Sequence, residues 1–503
     1  MGELFLQGVG AILQPDILLI LFGSVAVGII GGALPGISAT MSVAVVSPLT
    51  FAMEPLPGIM ALLGIYTGAV YGGSISAILL GIPGTPGAVA TVMDGYTMGR
   101  RGQAGRALGI ATLSSFFGGV FSVLALGLLA YPIAGFALSF GPREYLALAF
   151  FALTAVAALS GGSALKGGVA ALMGMFFATI GIDEMYGTSR FHFGQLGLMG
   201  GIPFIPAIIG LFAVPETLAA IQGISAVRRR SLQVSRILPE RSALVALLPA
   251  QLRSSIIGTI VGAVPGTGSD IAAIVAYSQG KNLSRAPETF GTGCDEGIAC
   301  PESGNNAAVG GTMIPLLTLG IPGGAVTAII LGAFMTHDLR PGPLLLQNNA
   351  DLVYQIFVGM FVANLAMLLF GLLGARVFAR VIQIPEAMLA PIVLLLCVVG
   401  AYALNNNVFD VYVMAAAGLL GYAMVRVGLP RAPLVIGLIV GPMVERELTR
   451  TILVIRGDWL QLFTPTSTVI WILAALPFVV PLVRRLLPRG RRRARLTAAG
   501  NAD

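Results

Sequence analysis

A chain of 503 residues that is 56% apolar and only 10% charged departs from soluble domains, in which roughly 25% of residues are charged. It reads as an all-α polytopic membrane protein. The net charge of +7 does not point to nucleic acid, because the arginines gather in loops and at the C-terminus, where membrane orientation signals lie.

Residues 1–14 contain no Lys or Arg, so the basic start of a secretion signal is missing. Two breaks interrupt the first apolar segments: Gly32-Ala33-Leu34-Pro35-Gly36, with Ser38 following, and Gly81-Ile82-Pro83-Gly84-Thr85. Pro removes a backbone donor and Gly opens unusual backbone angles, so neither stretch continues a helix. The first basic residues, Arg100, Arg101 and Arg106, come next, followed by apolar runs near 107–131, 144–160, 164–182 and 202–222. Each is close to the roughly 17–25 residues of a spanning helix. His192 and His337 fall in loops and receive no role. The connection around Arg228, Arg229, Arg230, Arg236, Arg241 and Arg253 is expected to be cytoplasmic.

The order then repeats. Gly262-Ala263-Val264-Pro265-Gly266 copies the first break after 230 residues, and Gly320-Ile321-Pro322-Gly323 copies the second after 239. Apolar runs near 352–375, 386–401, 408–425 and 432–444 follow, and Pro142 with Leu146-Ala147 matches Pro385 with Leu389-Ala390. A last run, 466–483, leads into an arginine-rich tail expected inside. The expected organisation is a first repeat over 1–225, a basic cytoplasmic connection over 226–253, a second repeat over 254–456, and an extra helix with its tail over 457–503.

Loop charges distinguish parallel from inverted repeats. The Arg100 loop corresponds to one bearing Asp338, Arg340 and Asp351, while the acidic joint Asp183-Glu184 corresponds to one bearing Arg426 and Arg431. The bias switches between halves, which gives an inverted repeat with about 11 crossings, the N-terminus outside and the C-terminus inside. Residues 16–93 make one net crossing, as one span plus a re-entrant hairpin, the favoured form, or as three spans.

Paired Gly/Pro interruptions in matching positions point to a transporter's midplane site. Half-helix N-termini carry unpaired N–H groups and partial positive charge, and hold a carboxylate without a cationic side chain. The expected substrate contacts are therefore Pro35, Gly36, Ser38, Gly81, Pro83, Gly84, Thr85, Gly266, Thr267, Gly268, Ser269, Gly320, Pro322 and Gly323. Few cations lie within sequence reach of these breaks. Asp270, directly after the second-half break, is a functional candidate because charge is costly in apolar surroundings. The polar stretch from Thr292 to Asn306 has no equally polar copy in the first half, where Gly64-Ile65-Tyr66-Thr67-Gly68 stands. Its Asp295, Glu296 and Glu302 read either as loop charges or as functional groups. Asn305 and Asn306 read either as caps of the following helix or as ligands of a coupling ion, Na⁺ or H⁺, together with Asp270. Cys294, Cys300 and Cys397 fit free thiols better than a disulfide framework or a zinc site. No other cofactor or metal is expected.

These motifs carry a resemblance. The Leu34 break, the run at Gly81, the Met93-Asp94-Gly95-Tyr96 segment, the run at Val264, the Pro301-Glu302-Ser303-Gly304-Asn305-Asn306 stretch and the run at Gly320 are similar to the large membrane subunit of bacterial tripartite tricarboxylate transporters, over roughly Pro15 to Arg450. That resemblance implies ion-driven uptake of citrate or another carboxylate across the inner membrane, with a small membrane subunit and a periplasmic solute-binding protein as partners. Two other classes stand beside it. An intramembrane enzyme would need a nucleophile with its base or a metal cluster, and the chain offers no HExxH or GxSxG. A channel or transporter for another small anion is the remaining alternative.

Overall fold

The computed structural model describes residues 2–159, 163–183, 185–222, 237–381 and 386–486. The Arg228–Arg230 cluster, Glu184, Pro385 and the arginine-rich tail beyond 486 lie outside the described residues. The first half comprises α1 (Gly2–Ile12), α2 (Pro15–Ala33), α3 (Ala39–Phe51), α4 (Pro55–Leu80), α5 (Val89–Met98), α6 (Ala104–Ala137), α7 (Pro142–Leu159), α8 (Ala164–Ala178) and α9 (Phe204–Gln222). The second comprises α10 (Arg241–Ala263), α11 (Gly268–Leu283), α12 (Asp295–Leu319), α13 (Ala325–Thr336), α14 (Pro343–Asn348), α15 (Ala350–Leu373), α16 (Ala375–Val381), α17 (Glu386–Asn405), α18 (Val408–Arg426) and α19 (Arg431–Ile455), with α20 (Pro465–Leu486) appended. Among the described residues, seven helices are long and apolar enough to cross a membrane, and shorter apolar helices lie between them. Since α10 starts at Arg241, residues 241–253 of the expected basic connection are helical.

Glycine contacts expose the repeat. Gly28 seats on Ile65, Gly32 on Ala69 and Gly72 on Ile29, so α2 and α4 run parallel. The same contacts recur between α10 and α12, as Gly258 on Gly304, Gly262 on Ala308 and Gly311 on Thr259. A side chain at these glycines would strike backbone, which is why small residues occupy them. The halves themselves are inverted. The equivalent helices α6 and α15 pack antiparallel, with Thr112 facing Gly371, Gly119 facing Asn364 and Gly127 facing Phe357. Each half also lends a helix to the other: α8 lies parallel to α19 through Gly437 on Ala171 and Gly441 on Ala178, and α9 parallel to α18 through Gly210 on Met414 and Gly418 on Val214.

Residues 16–93 fall between the two expected forms: α2 and α4 are both long and apolar enough to span, and the return leg α3 between them is a short apolar helix. The return leg α3 starts beside α2, where Ser42 meets Gly31, and ends beside the start of α4, where Thr50 meets Gly58. With 13 residues it is about 20 Å long, shorter than the hydrocarbon core. The re-entrant feature lies at the second break instead. Gly81 ends α4 in the left-handed region (φ 70°), and the Gly84 amide donates to Gly73 O at 3.3 Å. The chain has therefore doubled back about two turns along α4. From there α5 runs in the direction of α4, with Gly95 against Ile78 and Tyr96 against Gly81. In the second half Gly320 ends α12 (φ 72°) and Gly323 seats on Thr312, the position equivalent to Gly73.

Candidate functional site

The two second-half breaks are bonded together. Gly323 O accepts from the Gly266 amide at 2.8 Å and from the Gly268 amide at 3.3 Å, and both glycines have positive φ (81° and 62°). Thr267 donates to the carbonyls of Val261 and Val264, which ends α10 and turns the chain into α11, whose first turn carries buried Ser269 and then Asp270. Pro322 is buried in the second break. The first half closes differently: a side chain on Gly84 would strike Gly32 O, so the hairpin after Pro83 is pressed onto the end of α2. Thr85 is 3% exposed, lies against Gly73, and its hydroxyl has no partner.

The halves meet where this hairpin crosses α11 and α12. The Gly87 amide donates to Asp270 Oδ1 at 3.0 Å, and Gly87 leaves no space for a side chain because Asn305 Oδ1 stands 2.6 Å from where a Cβ would be. Asp270 keeps surface access, as do Val89 (42%) and Ile274 (50%) on the same two elements. Asn305 is 1% exposed, and neither polar atom of its side chain has a partner. Asn306 donates to Glu302 O at 3.1 Å, while its Oδ1 is unpartnered. Buried amides left unpaired are costly, so this pair is equipped to receive a ligand.

The polar stretch is not a loop, and Asn305 and Asn306 cap nothing. Both sit inside α12, whose N-cap is Cys294, accepting from the Gly297 amide at 3.3 Å. The helix starts early because buried Asp94 gathers the amides of Gly291, Gly293 and Cys294 and the Tyr277 hydroxyl at 2.7–3.0 Å.

Near the first-half break, Pro35 and Gly36 (φ 85°) border a space of about 10 Å³ with Thr217 and Leu389, room for one water. Ser38 caps α3 by accepting from the Met41 amide and donates to Glu216 Oε2 at 2.7 Å. Glu216 Oε1 is 3.1 Å from the Arg431 guanidinium, which also donates to the carbonyls of Leu211 and Phe212. Tertiary packing thus brings a cation near this break although sequence distance does not. Glu216 interrupts an apolar run, which was a legible signal; Arg431 reads as a loop charge until α9 and α19 are packed together. Asp94 follows the apolar run before it in the same way, whereas Gly87 and Arg431 carry no such signal.

A larger cavity, about 290 Å³, lies where the hairpin of Gly181–Ile182 and Ser189–Arg190 meets α19, lined by Asp183, Arg190 and Glu445 among apolar residues. Arg190 bridges Asp183 and Glu445. The backbone N–H groups of Met185 and Tyr186, with Arg190, hold the Asp183 carboxyl below its ordinary value. Cys294, Cys300 and Cys397 are free thiols.

Residues 18–436 match the model of the tripartite tricarboxylate transporter TctA family. An uncharacterised 52.8 kDa protein of Agrobacterium vitis, from the TAR-I ttuC' 3' region, is 39% identical over 440 residues, covering 87% of each chain. An uncharacterised protein from the TAR-II ttuC' 3' region of the same organism is 41% identical over 201 residues, 40% of this chain and 83% of the relative. No solved structure matches.

Proposed function

The chain belongs to the tripartite tricarboxylate transporter TctA family, a transporter family rather than an enzyme family, and from that premise we propose that it is the large transmembrane subunit for ion-driven uptake of citrate or a related di- or tricarboxylate. Its partners in this reading are a small membrane subunit and a periplasmic solute-binding protein. It sits in the bacterial inner membrane with its C-terminus in the cytoplasm. The observation that supports this most strongly is the junction of halves, where a re-entrant backbone turn meets the accessible Asp270 and the unpartnered amide of Asn305. Substrate carboxylates would bind at the helix N-termini beside the four breaks, near Pro35, Gly36 and Ser38, near Gly81, Pro83, Gly84 and Thr85, near Gly266, Thr267, Gly268 and Ser269, and near Gly320, Pro322 and Gly323; the hydroxyl of Thr85 is unpartnered, whereas the amides of Gly84, Gly266 and Gly268 and the hydroxyls of Ser38 and Thr267 would have to exchange an internal bond for the substrate. Such donors stabilise anions without a cation. Asp270, Asn305 and Asn306 would serve the coupling ion, Na⁺ or H⁺, because a lone acid among carbonyl and amide oxygens suits a small monovalent cation. Reconstitution with the small subunit into vesicles, with and without the binding protein, tests it. The expected result is saturable citrate uptake that needs the binding protein and collapses with an ionophore; non-saturating flux indifferent to ionophores would replace it with a channel.

A further inference from the structure

Glu302 plays no part in the site as described so far. It stands within α12, one turn before Asn305, and is 0% exposed. Thr91 Oγ1 donates to its Oε1 at 2.6 Å, and Ser115 Oγ to its Oε2 at 2.8 Å. These donors sit on α5 and α6 of the first half, so a second-half carboxyl is held wholly by the opposite repeat.

No ion pair reaches it among the described residues. Of the cations on helices packed against α12, Arg106 on α6 is taken by Asp295 at 2.6 Å, Arg241 at the start of α10 is exposed, Arg253 on α10 is exposed and bonds Pro249 O, and Lys281 on α11 is exposed. Several acids and phenols on those helices are otherwise engaged, and Tyr131 on α6 stacks on Tyr354. Asp94 holds the 291–294 backbone and Tyr277, Asp270 holds Gly87, and Tyr66 and Tyr71 on α4 bond Thr312 and Thr112. On α12 itself, Glu296 accepts from Ser284 and Cys300 is a buried thiol.

An ionised carboxylate without a counter-charge is expensive in such a place. Hydroxyls both donate and accept, so Thr91 and Ser115 can hold the carboxyl protonated or ionised without rearrangement. A hard metal cation gathers about six oxygens, more than this carboxyl and its two hydroxyls provide. Thr91 is also one turn from Gly87 on the same hairpin. A movement of that hairpin at the Asp270–Asn305 junction therefore pulls a donor away from Glu302.

We propose that the Glu302 carboxyl is the proton-carrying group of this transporter, loaded and emptied as the Gly87–Thr91 hairpin moves. A proton adds to the carboxylate to form its O–H bond from the outer side and leaves to water on the inner side; no electrons are exchanged. This rests on the uptake reading above, takes H⁺ as the coupling ion, and moves that ion from Asp270, Asn305 and Asn306 to Glu302.

Two measurements on Glu302→Gln, a near-isosteric stand-in for the protonated carboxyl, test it. In vesicles holding the full complex, with radiolabelled citrate as probe, the variant is expected to lose gradient-driven accumulation and the accompanying proton influx by about tenfold or more while still exchanging citrate across the membrane. Undiminished proton influx would overturn the proposal. Infrared spectra of the purified chain, without substrate, are expected to show a protonated-carboxyl stretch at neutral pH that Glu302→Gln removes and Asp270→Asn keeps. A band unchanged in Glu302→Gln, or a Glu302 carboxylate signal that responds to Na⁺ and not to pH, would overturn it. If the infrared band behaves as expected but the wild type carries no citrate, the citrate reading fails and the proton site stands.

Discussion

The amide of Gly87 donates to Asp270 Oδ1 at 3.0 Å, which ties the doubled-back hairpin of one repeat to the first turn of α11 in the other. A carboxylate that is accessible at the surface and also fixes an opposing hairpin can report ligand binding as motion.

Asp270→Asn separates charge from contact. The amide oxygen of Asn can still accept from Gly87, so folding and assembly should be unchanged. Uptake should fall about tenfold or more, since the accessible charge is gone. Normal initial rates with normal membrane levels would remove Asp270 from the transport cycle.

Asn305→Leu removes a buried amide with no partner and keeps the branching at Cγ, with two bulkier methyls in place of the amide atoms. Leaving such a group unpaired costs roughly 1–3 kcal/mol, so the unfolding temperature in detergent should hold or rise while uptake is lost. A lower unfolding temperature would mean that Asn305 supports the fold rather than a ligand.

Gly84→Val and Gly323→Val should both abolish uptake, but through packing. A side chain on Gly84 strikes Gly32 O, and one on Gly323 meets Thr312 Cα and Gly262 O at 2.7 Å. Overpacking of this kind costs about 1–3 kcal/mol or more, so the yield of folded protein should drop with activity. Thr85→Val, which keeps shape and deletes only an unpartnered hydroxyl, is the better probe of substrate contact there. It should raise KM at unchanged yield.

Membrane orientation has its own check. In a background lacking Cys294, Cys300 and Cys397, a cysteine at position 230 should react only with reagents that cross the membrane. Labelling by an impermeant reagent from outside would reverse the assigned orientation.

Composition and the doubled breaks determined much of this protein. Apolar runs of spanning length in a chain so poor in charge call for membrane helices, and the offsets of 230 and 239 residues reappear in the structure as matched glycine contacts, because each copy must pack its α2 or α10 on its α4 or α12 in the same way. The switch in loop charge anticipated the antiparallel meeting of α6 and α15. Only tertiary packing decided which groups face one another across the halves. The sequence leaves Asn305 open between cap and ligand and Glu302 between loop charge and functional group, because nothing local reveals that Asp94, some 200 residues upstream, starts α12 before them. Arg431 reads as a loop charge because its partners, Ser38's neighbour Glu216 and two carbonyls of α9, come from the other repeat. In an inverted repeat the contacts that make the site are those between halves, and those are set by the packing of opposed helices rather than by any spacing along the chain.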